Sequence, residues 1–268
     1  MQSIDEKEKN LIRIIKGYDK IALAFSGGVD SSFLLYFAGE IIGRENILAI
    51  TVNMSMHTSR EKRESIELAK DFKHIFIDAE EYSLRAFVEN SKDRCYHCKK
   101  DIFNKIKSEA KKRGFLIVCD GTNRDDLDDY RPGLIALREL DIKSPLKEAG
   151  LGKDEIRELS KKHGIPTWNK PSKACLASRI PYGTEITPEA IKTVENCEEY
   201  LINLGYPDSR VRHHGSIARI EIPVKDIESI IKYRKEIDSF FKSQGFLYTT
   251  LDLAGYNMGS LNKEIDLK

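Results

Sequence analysis

The chain contains 268 residues, of which 40% are hydrophobic and 32% are charged, and its formal net charge is +1. This length supplies one large domain or two modest ones, and the near-neutral charge provides no overall field to attract nucleic acid. Because no apolar run approaches about 18 residues and the polar N-terminus has no signal-peptide pattern, no membrane-spanning helix is predicted and we expect a cytoplasmic protein.

Strands and helices alternate through the first part of the chain. Short apolar runs predict strands, and apolar residues at helical spacing predict the helices between them. The predicted helices are 2–18, 33–38, 60–72, 81–90, 99–112 and 153–163, and the predicted strands are 21–25, 47–52, 74–77 and 115–119. This alternation favours right-handed crossovers and a doubly wound, parallel α/β sheet. Ligands of such sheets lie beyond the carboxyl ends of the strands, which here means 26–32, 53–57 and 120–129.

The pattern changes near residue 184. Thr187-Pro188-Glu189 predicts the start of a helix, with Pro at its first position, that runs to about residue 204. Further strands are predicted at Val211, 217–222 and 246–250, and a further helix over 224–241. We therefore predict two domains, an α/β domain over 1–184 and a small α+β domain over 185–268.

Two glycines connect the first predicted strand to the next helix, in the string Ser-Gly-Gly-Val-Asp-Ser that starts at Ser26. Glycines allow a tight turn, and the first N–H groups of a helix lack partners, so this arrangement suits phosphate. We expect Asp30 to cap the helix and the hydroxyls of Ser26, Ser31 and Ser32 to donate hydrogen bonds. The turn is expected to leave no room for a side chain at Gly28. The string is neither Gly-x-x-x-x-Gly-Lys-Ser/Thr nor Gly-x-Gly-x-x-Gly.

The chain has five cysteines, an odd number without export signals, so structural disulfides are not expected. Cys95 and Cys98 have the C-x-x-C spacing, which puts two thiolates within reach of one metal. Zinc requires two further ligands, and His97 lies too close between the pair to be a third. Because the pair precedes a predicted helix, a redox pair with a lowered thiol pKa is an alternative.

The other three cysteines lie in different surroundings. Cys175 belongs to a small, basic, irregular stretch in which Lys173 and Arg179 favour a thiolate. Cys119 and Cys197 lie on apolar faces of a strand and a helix and are predicted to be core residues. Three cysteines, two adjacent and one distant, can hold a [4Fe–4S] cluster and leave one iron open to a ligand such as sulfide. Separate roles for the pair and for the single thiol remain the alternative.

Taken together, several strings of the sequence resemble those of the LarE family of ATP-dependent sulfur transferases, in the pyrophosphate-loop superfamily. They are 26–32, 94–99, 120–123, 128–133, 175–183 and 210–215. The loop string is shared widely across the superfamily, whereas the strings at 175–183 and 210–215 are more specific. The resemblance implies an adenine nucleotide alpha hydrolase-like fold with a pyrophosphate loop.

The resemblance also implies an activity. ATP adenylates a carboxylate of pyridinium-3,5-biscarboxylic acid mononucleotide, and sulfur then displaces AMP to leave a thiocarboxylate, in the biosynthesis of the nickel-pincer nucleotide of lactate racemase. In one branch of the family, the cysteine that matches Cys175 gives up its own sulfur and becomes dehydroalanine. Another branch has three cysteines and resembles enzymes in which a [4Fe–4S] cluster relays sulfide. Cys95 and Cys98 beside Cys175 identify this sequence with the second branch.

Site residues follow from the same resemblance. Cys175 and Asp30 are the expected catalytic residues, and Cys95, Cys98 and Cys175 are the expected ligands of the cluster. The residues expected to bind ATP, Mg²⁺ and the acceptor are Ser26, Gly27, Gly28, Asp30, Ser31, Ser32, Val52, Asn53, Gly121, Ser178, Arg179, Arg210 and Arg212.

The phosphate group of the acceptor is expected to bind guanidinium groups. Arg210 and Arg212 alternate along a predicted strand, so one face presents both side chains to that phosphate. Asp125, Asp128 and Glu221 are further candidates, for binding magnesium or for orienting the acceptor. The expected partners are a small-molecule nucleotide and sulfide or another sulfur donor, and a homo-oligomer is expected. Neither a membrane nor nucleic acid is an expected partner.

Three other interpretations stay open. A tRNA thiolation enzyme shares the loop, the adenylation and the cluster, but it normally needs an RNA-binding surface or an extra domain, which charge and length do not offer. An ammonia-dependent, amide-forming ligase of the NAD or GMP synthetase kind leaves Cys95, Cys98 and Cys175 unexplained. An ATP-binding module of the universal-stress type shares the α/β layout but lacks the Ser-Gly-Gly-Val-Asp-Ser string.

Overall fold

The computed structural model describes residues 2–127, 132–171 and 174–257. The expectations for Asp128 and for Lys173 lie outside these residues. Within the described ranges, no helix is long and apolar enough to cross a membrane.

The chain forms two compact units. The first comprises residues 2–54, 59–84 and 93–171, and the second comprises 55–58, 85–92 and 174–257. The helices are α1 (Ile4–Lys16), α2 (Val29–Ile42), α3 (Ser59–Leu68), α4 (Arg85–Val88), α5 (Arg94–Lys112), α6 (Gly133–Glu139), α7 (Pro145–Glu148), α8 (Lys153–Lys162), α9 (Pro188–Asn203), α10 (Ile227–Ile230) and α11 (Arg234–Ser243). The strands are β1 (Ile21–Ala24), β2 (Ile47–Asn53), β3 (Lys73–Asp78), β4 (Ile117–Cys119), β5 (Arg210–His214), β6 (Ile217–Glu221) and β7 (Tyr248–Leu251).

Four parallel strands form the sheet of the first unit, in the order β3-β2-β1-β4. Ile21 of β1 lies opposite Ile47 of β2 on one side and Ile117 of β4 on the other. The prediction of a doubly wound parallel sheet is confirmed. Because the chain moves outwards from β1 to β3 and then returns to β4 on the other side, the strand order reverses between β1 and β4. In open α/β sheets ligands bind at this reversal, beyond the carboxyl ends of the strands.

Apolar residues fill the centre of this unit. β1 and most of β2 are buried, as expected for parallel strands covered on both faces. The helix α2 is also buried through much of its length, with Phe33, Leu34 and Leu35 fully inaccessible to solvent. The loop between β1 and α2 is therefore held between two rigid, buried elements.

A three-stranded sheet with antiparallel β5 and β6 and parallel β6 and β7 forms the centre of the second unit. Leu201 of α9, Val211 of β5 and Phe241 of α11 belong to one apolar core. This arrangement confirms the predicted small α+β fold, and α9 starts as predicted, with Pro188 at its first position and Thr187 as its cap.

Some predicted element boundaries are wrong. The helix α5 begins at Arg94 rather than at Lys99, so the C-x-x-C pair lies within its first five residues and not before it. The predicted helix over 81–90 is reduced to α4, because Asn90 adopts a left-handed conformation (φ 54°) and donates its amide to the Pro181 carbonyl oxygen. The predicted helix over 224–241 is divided into α10 and α11 by a short 3-10 turn.

Candidate functional site

The loop between β1 and α2 is fixed by its own hydroxyls and by one glycine. Gly27 has φ +70°, the left-handed conformation that favours glycine. The Ser26 hydroxyl oxygen accepts a hydrogen bond from the Gly28 backbone N–H at 3.3 Å and lies 3.1 Å from the Ser31 hydroxyl. Gly28 is the N-cap of α2, and no side chain caps this helix end, so the prediction that Asp30 caps it is wrong. The first turn of α2 thus keeps its N–H groups for a ligand, as anion-binding helix termini do.

The sequence predicts that Gly28 has no room for a side chain, but the closer contact is found at Gly121. A Cβ atom at Gly28 meets the Ser26 hydroxyl at 3.3 Å, and Gly28 has an ordinary φ of −77°. By contrast, a Cβ at Gly121 lies 2.9 Å from the backbone nitrogen of Ser31, closer than real Cβ atoms come. Gly121 follows β4, so glycine there lets the carboxyl end of β4 approach the start of α2.

Asp30 has an unusual electrostatic environment. Burial, together with the nearby Asp126 carboxylate, raises the pKa of Asp30 from 3.8 to about 6, against the opposing effect of Lys153 and Asn123. A carboxylate that ionises reluctantly beside a second carboxylate is stabilised by any cation that binds there. Oxygen ligands of this kind suit Mg²⁺.

Lys170 contacts the loop, although no sequence pattern predicts this contact. Its ammonium donates to the Gly27 carbonyl oxygen at 2.8 Å and lies 2.7 Å from a carboxylate oxygen of Glu64. The residue belongs to an irregular stretch between α8 and the second unit, where neither periodicity nor spacing singles it out.

Predicted site positions at the end of β2 and after β4 are part of the surrounding structure. Val52 is buried, and Asn53 donates its side-chain amide to Asp78 at 2.8 Å. The Asp125 carboxylate accepts a hydrogen bond from the Lys153 backbone N–H at 2.7 Å, at the start of α8. That bond, followed by the charge of Arg124, holds the pKa of Asp125 below its ordinary value despite partial burial. Asp125 therefore satisfies a helix terminus.

Cys175 lies in the second unit, at the start of a 3-10 turn over Leu176–Arg179. Its side chain is exposed, and its thiol donates to the Met56 thioether sulfur at 3.2 Å. The Ser178 hydroxyl donates to the Cys175 carbonyl oxygen at 2.7 Å. An exposed thiol on a backbone held by hydrogen bonds is suited to nucleophilic chemistry or metal ligation.

Arg179 holds the segment that carries Cys175. The residue is 2% exposed and pairs with both carboxylate oxygens of Glu198 on α9, at 2.7 and 3.1 Å. Its remaining terminal nitrogen donates to the carbonyl oxygens of Ala174 and Cys175. Burial lowers the pKa of Arg179, but the Glu198 carboxylate more than offsets this and the net shift is upward. The guanidinium thus holds the backbone that carries Cys175.

The two arginines of β5 are almost fully buried, and Arg212 is already paired with a carboxylate. Arg212 lies 2.7 Å from Glu221 and donates to the Ser178 carbonyl oxygen at 2.9 Å. Glu221 is inaccessible to solvent and also pairs with Arg219 at 3.0 Å. The Arg210 guanidinium lies 5.0 Å from the centre of the Tyr256 ring. Any phosphate that binds Arg212 has to compete with a buried carboxylate.

The remaining cysteines divide as predicted. Cys119 and Cys197 are fully buried, which confirms them as core residues, and burial raises the pKa of Cys197 to about 12. Cys95 is exposed and Cys98 partly so, three positions apart on α5, which places them on one side of the helix. Among the described residues, no group of three or more His, Cys, Asp and Glu side chains has a geometry that could hold a metal ion.

Comparisons with known proteins find relatives along the whole chain and along part of it. Residues 8–121 match the family model of NAD synthase. Pyridinium-3,5-bisthiocarboxylic acid mononucleotide synthase of Lactiplantibacillus plantarum is 34% identical over 264 residues, which cover 98% of this chain and 96% of that protein. An uncharacterised protein of Synechocystis is 37% identical over 97% of this chain and 98% of its own length. Argininosuccinate synthase of Pyrococcus furiosus is 34% identical, over 56% of this chain and 40% of that protein.

Proposed function

The chain belongs to the LarE family, since it matches the synthase of Lactiplantibacillus plantarum over nearly the whole of both sequences, and from this premise we propose that it is an ATP-dependent sulfur transferase. Its proposed substrate is pyridinium-3,5-biscarboxylic acid mononucleotide, of which one carboxylate becomes a thiocarboxylate. The observation that carries the proposal is the loop between β1 and α2, where a left-handed Gly27, a helix start that no side chain caps and the hydroxyls of Ser26 and Ser31 lie at the reversal of the strand order.

In the first step, a carboxylate oxygen of the substrate attacks the α-phosphorus of ATP, and the bond to the β-phosphate oxygen breaks to release pyrophosphate. The loop binds the departing pyrophosphate through backbone N–H groups of α2 and the hydroxyls of Ser26 and Ser31. Asp30 and Asp126 would hold Mg²⁺, which would relieve the repulsion between the two carboxylates and neutralise phosphate charge. Adenylation is required because a carboxylate oxygen is otherwise a poor leaving group.

In the second step, a sulfur anion attacks the acyl carbon and AMP leaves with the electron pair of the broken bond. We assign Cys175 to this step, because it is an exposed thiol on a firmly held backbone. Buried Arg210 and Arg212 are assigned to the acceptor's phosphate. Arg212 is held by Glu221 and the Ser178 carbonyl oxygen, so its position is set before binding and the phosphate shares the guanidinium with these two groups.

The finer part of the proposal is a [4Fe–4S] cluster held by Cys95, Cys98 and Cys175. Accessible thiols at helical spacing suit iron, and three protein ligands leave one iron open to sulfide, which is the chemistry such a cluster supplies. The described residues contain no preformed group of three metal ligands, so this part rests on the cysteine pattern. Its alternative is that Cys175 alone gives up its sulfur.

One experiment separates these cases. The protein is purified without oxygen, its iron and sulfide are measured, and pyrophosphate release and protein mass are followed during the reaction. A cluster predicts bound iron, loss of iron in Cys95→Ala and in Cys98→Ala, unchanged mass and repeated turnover. A sacrificial cysteine predicts one turnover, a protein lighter by one hydrogen sulfide, and indifference to Cys95→Ala. The buried Cys197→Ala variant is the control, and absence of any ATP-dependent pyrophosphate release contradicts the proposed function itself.

A second candidate is an ATP-dependent ligase that uses ammonia in place of sulfur. The match of residues 8–121 to the NAD synthase model favours it, because that match covers the loop and the sheet. Supplying ammonia or sulfide with the same acceptor distinguishes the two functions by the mass of the product.

A further inference from the structure

Among the described residues, Lys170 is a cation that contacts the loop directly. Its ammonium contacts the carbonyl oxygen of left-handed Gly27 and the carboxylate of Glu64 on α3. The side chain is 19% exposed, so it is neither a solvated surface lysine nor sealed in the core. An ammonium has three N–H donors, and these two contacts, its partners among the described residues, leave a third donor.

The backbone of Lys170 is fixed independently of its side chain. Arg157 of α8 donates to the carbonyl oxygens of Trp168 and Lys170, at 2.8 and 2.7 Å, and the Lys170 N–H donates to the Thr167 carbonyl oxygen at 2.9 Å. An arginine on a regular helix therefore aims the lysine at the loop.

We propose that Lys170 is a phosphate-binding residue of the loop, which donates its third N–H to the pyrophosphate part of ATP. This inference rests on the proposed use of ATP. Glu64 and the Gly27 carbonyl hold the ammonium in place when no nucleotide is bound, and the bond to Gly27 keeps that peptide in its left-handed orientation. A single positive charge then faces the end of ATP where negative charge accumulates as pyrophosphate leaves.

The test compares the two halves of ATP as separate probes. Binding of ATP, inorganic pyrophosphate and AMP is measured by calorimetry for the wild type and for Lys170→Met, Lys170→Arg and Glu64→Gln. We expect Lys170→Met to weaken the binding of ATP and of pyrophosphate about 10- to 100-fold, because a charged hydrogen bond to phosphate is lost. The affinity for AMP should change by no more than about two-fold. Lys170→Arg restores part of the loss. Glu64→Gln tightens pyrophosphate about 2- to 5-fold, because a competing carboxylate is removed.

Lys161→Met is the matched control. Lys161 is an exposed lysine of α8 whose ammonium lies 5.1 Å from the centre of the Trp168 ring, in the same region. It is expected to leave all three affinities unchanged. Unaltered pyrophosphate binding in Lys170→Met overturns the inference, and so does an equal loss of AMP and pyrophosphate with a lower melting temperature, which would mark a structural role. A wild type that binds neither ATP nor pyrophosphate contradicts the proposed function instead.

Discussion

The loop of the first unit and the arginine cluster of the second unit are two ways of preparing a protein for phosphate. In the loop, the donors are backbone N–H groups and hydroxyls, and glycines bring them together. In the arginine cluster, Arg212, Glu221 and Arg219 are buried or half-buried charges that are already paired with one another. The loop therefore offers unsatisfied dipoles to a ligand, whereas the cluster offers charges that a ligand has to share.

This difference has an energetic consequence. Backbone dipoles that stay uncapped cost little while water reaches them, so the loop can bind and release an anion repeatedly. Buried charges are costly to desolvate and are strongly destabilising once one partner is removed. We expect changes in the loop to affect activity and changes in the cluster to affect stability.

The largest effect is expected for Glu221→Gln. It leaves two guanidinium groups without a buried carboxylate, and the free energy of unfolding should fall by about 3–5 kcal/mol. Urea denaturation measures this change. Asp238→Asn is the control, because Asp238 forms an exposed pair with Lys242 at 2.8 Å and such pairs contribute about 0–1 kcal/mol. Equal losses of unfolding free energy in the two variants would contradict the prediction that the buried ion pairs of the cluster stabilise the fold.

A side chain at Gly121 should break the loop without breaking the fold. Gly121→Ala puts a Cβ against the backbone of Ser31, so the start of α2 has to shift and catalysis should fall, by at most the roughly 100-fold that a full 1 Å displacement costs. The measurement is kcat/KM for ATP from pyrophosphate release. Gly28→Ala is the matched comparison and should cost less, because rotation of the Ser26 side chain relieves its contact. A larger loss of kcat/KM in Gly28→Ala than in Gly121→Ala would contradict the close approach of Gly121 to the start of α2.

Asp30 links the loop to pH. Its pKa of about 6 in the folded protein lies above the ordinary 3.8, so the folded state binds more protons than the unfolded state between these values. Stability should therefore fall as pH rises from about 4 to 6, by about 1–3 kcal/mol relative to Asp30→Asn, which does not titrate. Urea denaturation across this range tests the difference, and parallel curves for the two proteins would contradict it.

Asp125 should behave in the opposite way, with a smaller effect. Its pKa is lowered, so its stabilisation is present near neutral pH and is lost as pH falls through that lowered pKa. Asp125→Ala should cost about 1 kcal/mol at pH 7, the usual value of a helix-capping interaction. Glu158→Ala, on the exposed side of α8, is the control and should change stability by about 0.5 kcal/mol or less. Thermal denaturation of the wild type and of the two variants, at pH 7 and at pH 3, measures these stability differences.

The elements that the sequence predicts well are those with local causes. Apolar runs predict the strands, and the glycine string predicts the loop, because both signals lie within a few residues of one another. The cap of α2 was missed for an equally local reason: the backbone turn makes Gly28 the N-cap and puts Asp30 inside the helix. Helix ends are harder to predict, since α4 is stopped by contacts of Asn90 with residues about 90 positions away.

Partners of charged side chains are the part that sequence patterns do not reveal. Lys170 donates a hydrogen bond to Gly27, which lies 143 positions earlier in the sequence, and no local pattern around either residue predicts this contact. The alternation of Arg210 and Arg212 predicts that they share a strand face, but the pairing of Arg212 with Glu221 depends on the register between β5 and β6. Charge at a site could thus be predicted from sequence, whereas its state of pairing could not.

The hydrogen bonds of Arg179 have a practical consequence for Cys175. They run to the carbonyl oxygens of Ala174 and Cys175, so the path of this segment is set through its backbone and from α9. Changing the atoms beyond the Cα of residue 175 leaves those bonds in place. Position 175 is therefore a natural attachment point for a thiol-reactive spin label or fluorophore, which would report on the surroundings of the segment while its backbone keeps its course.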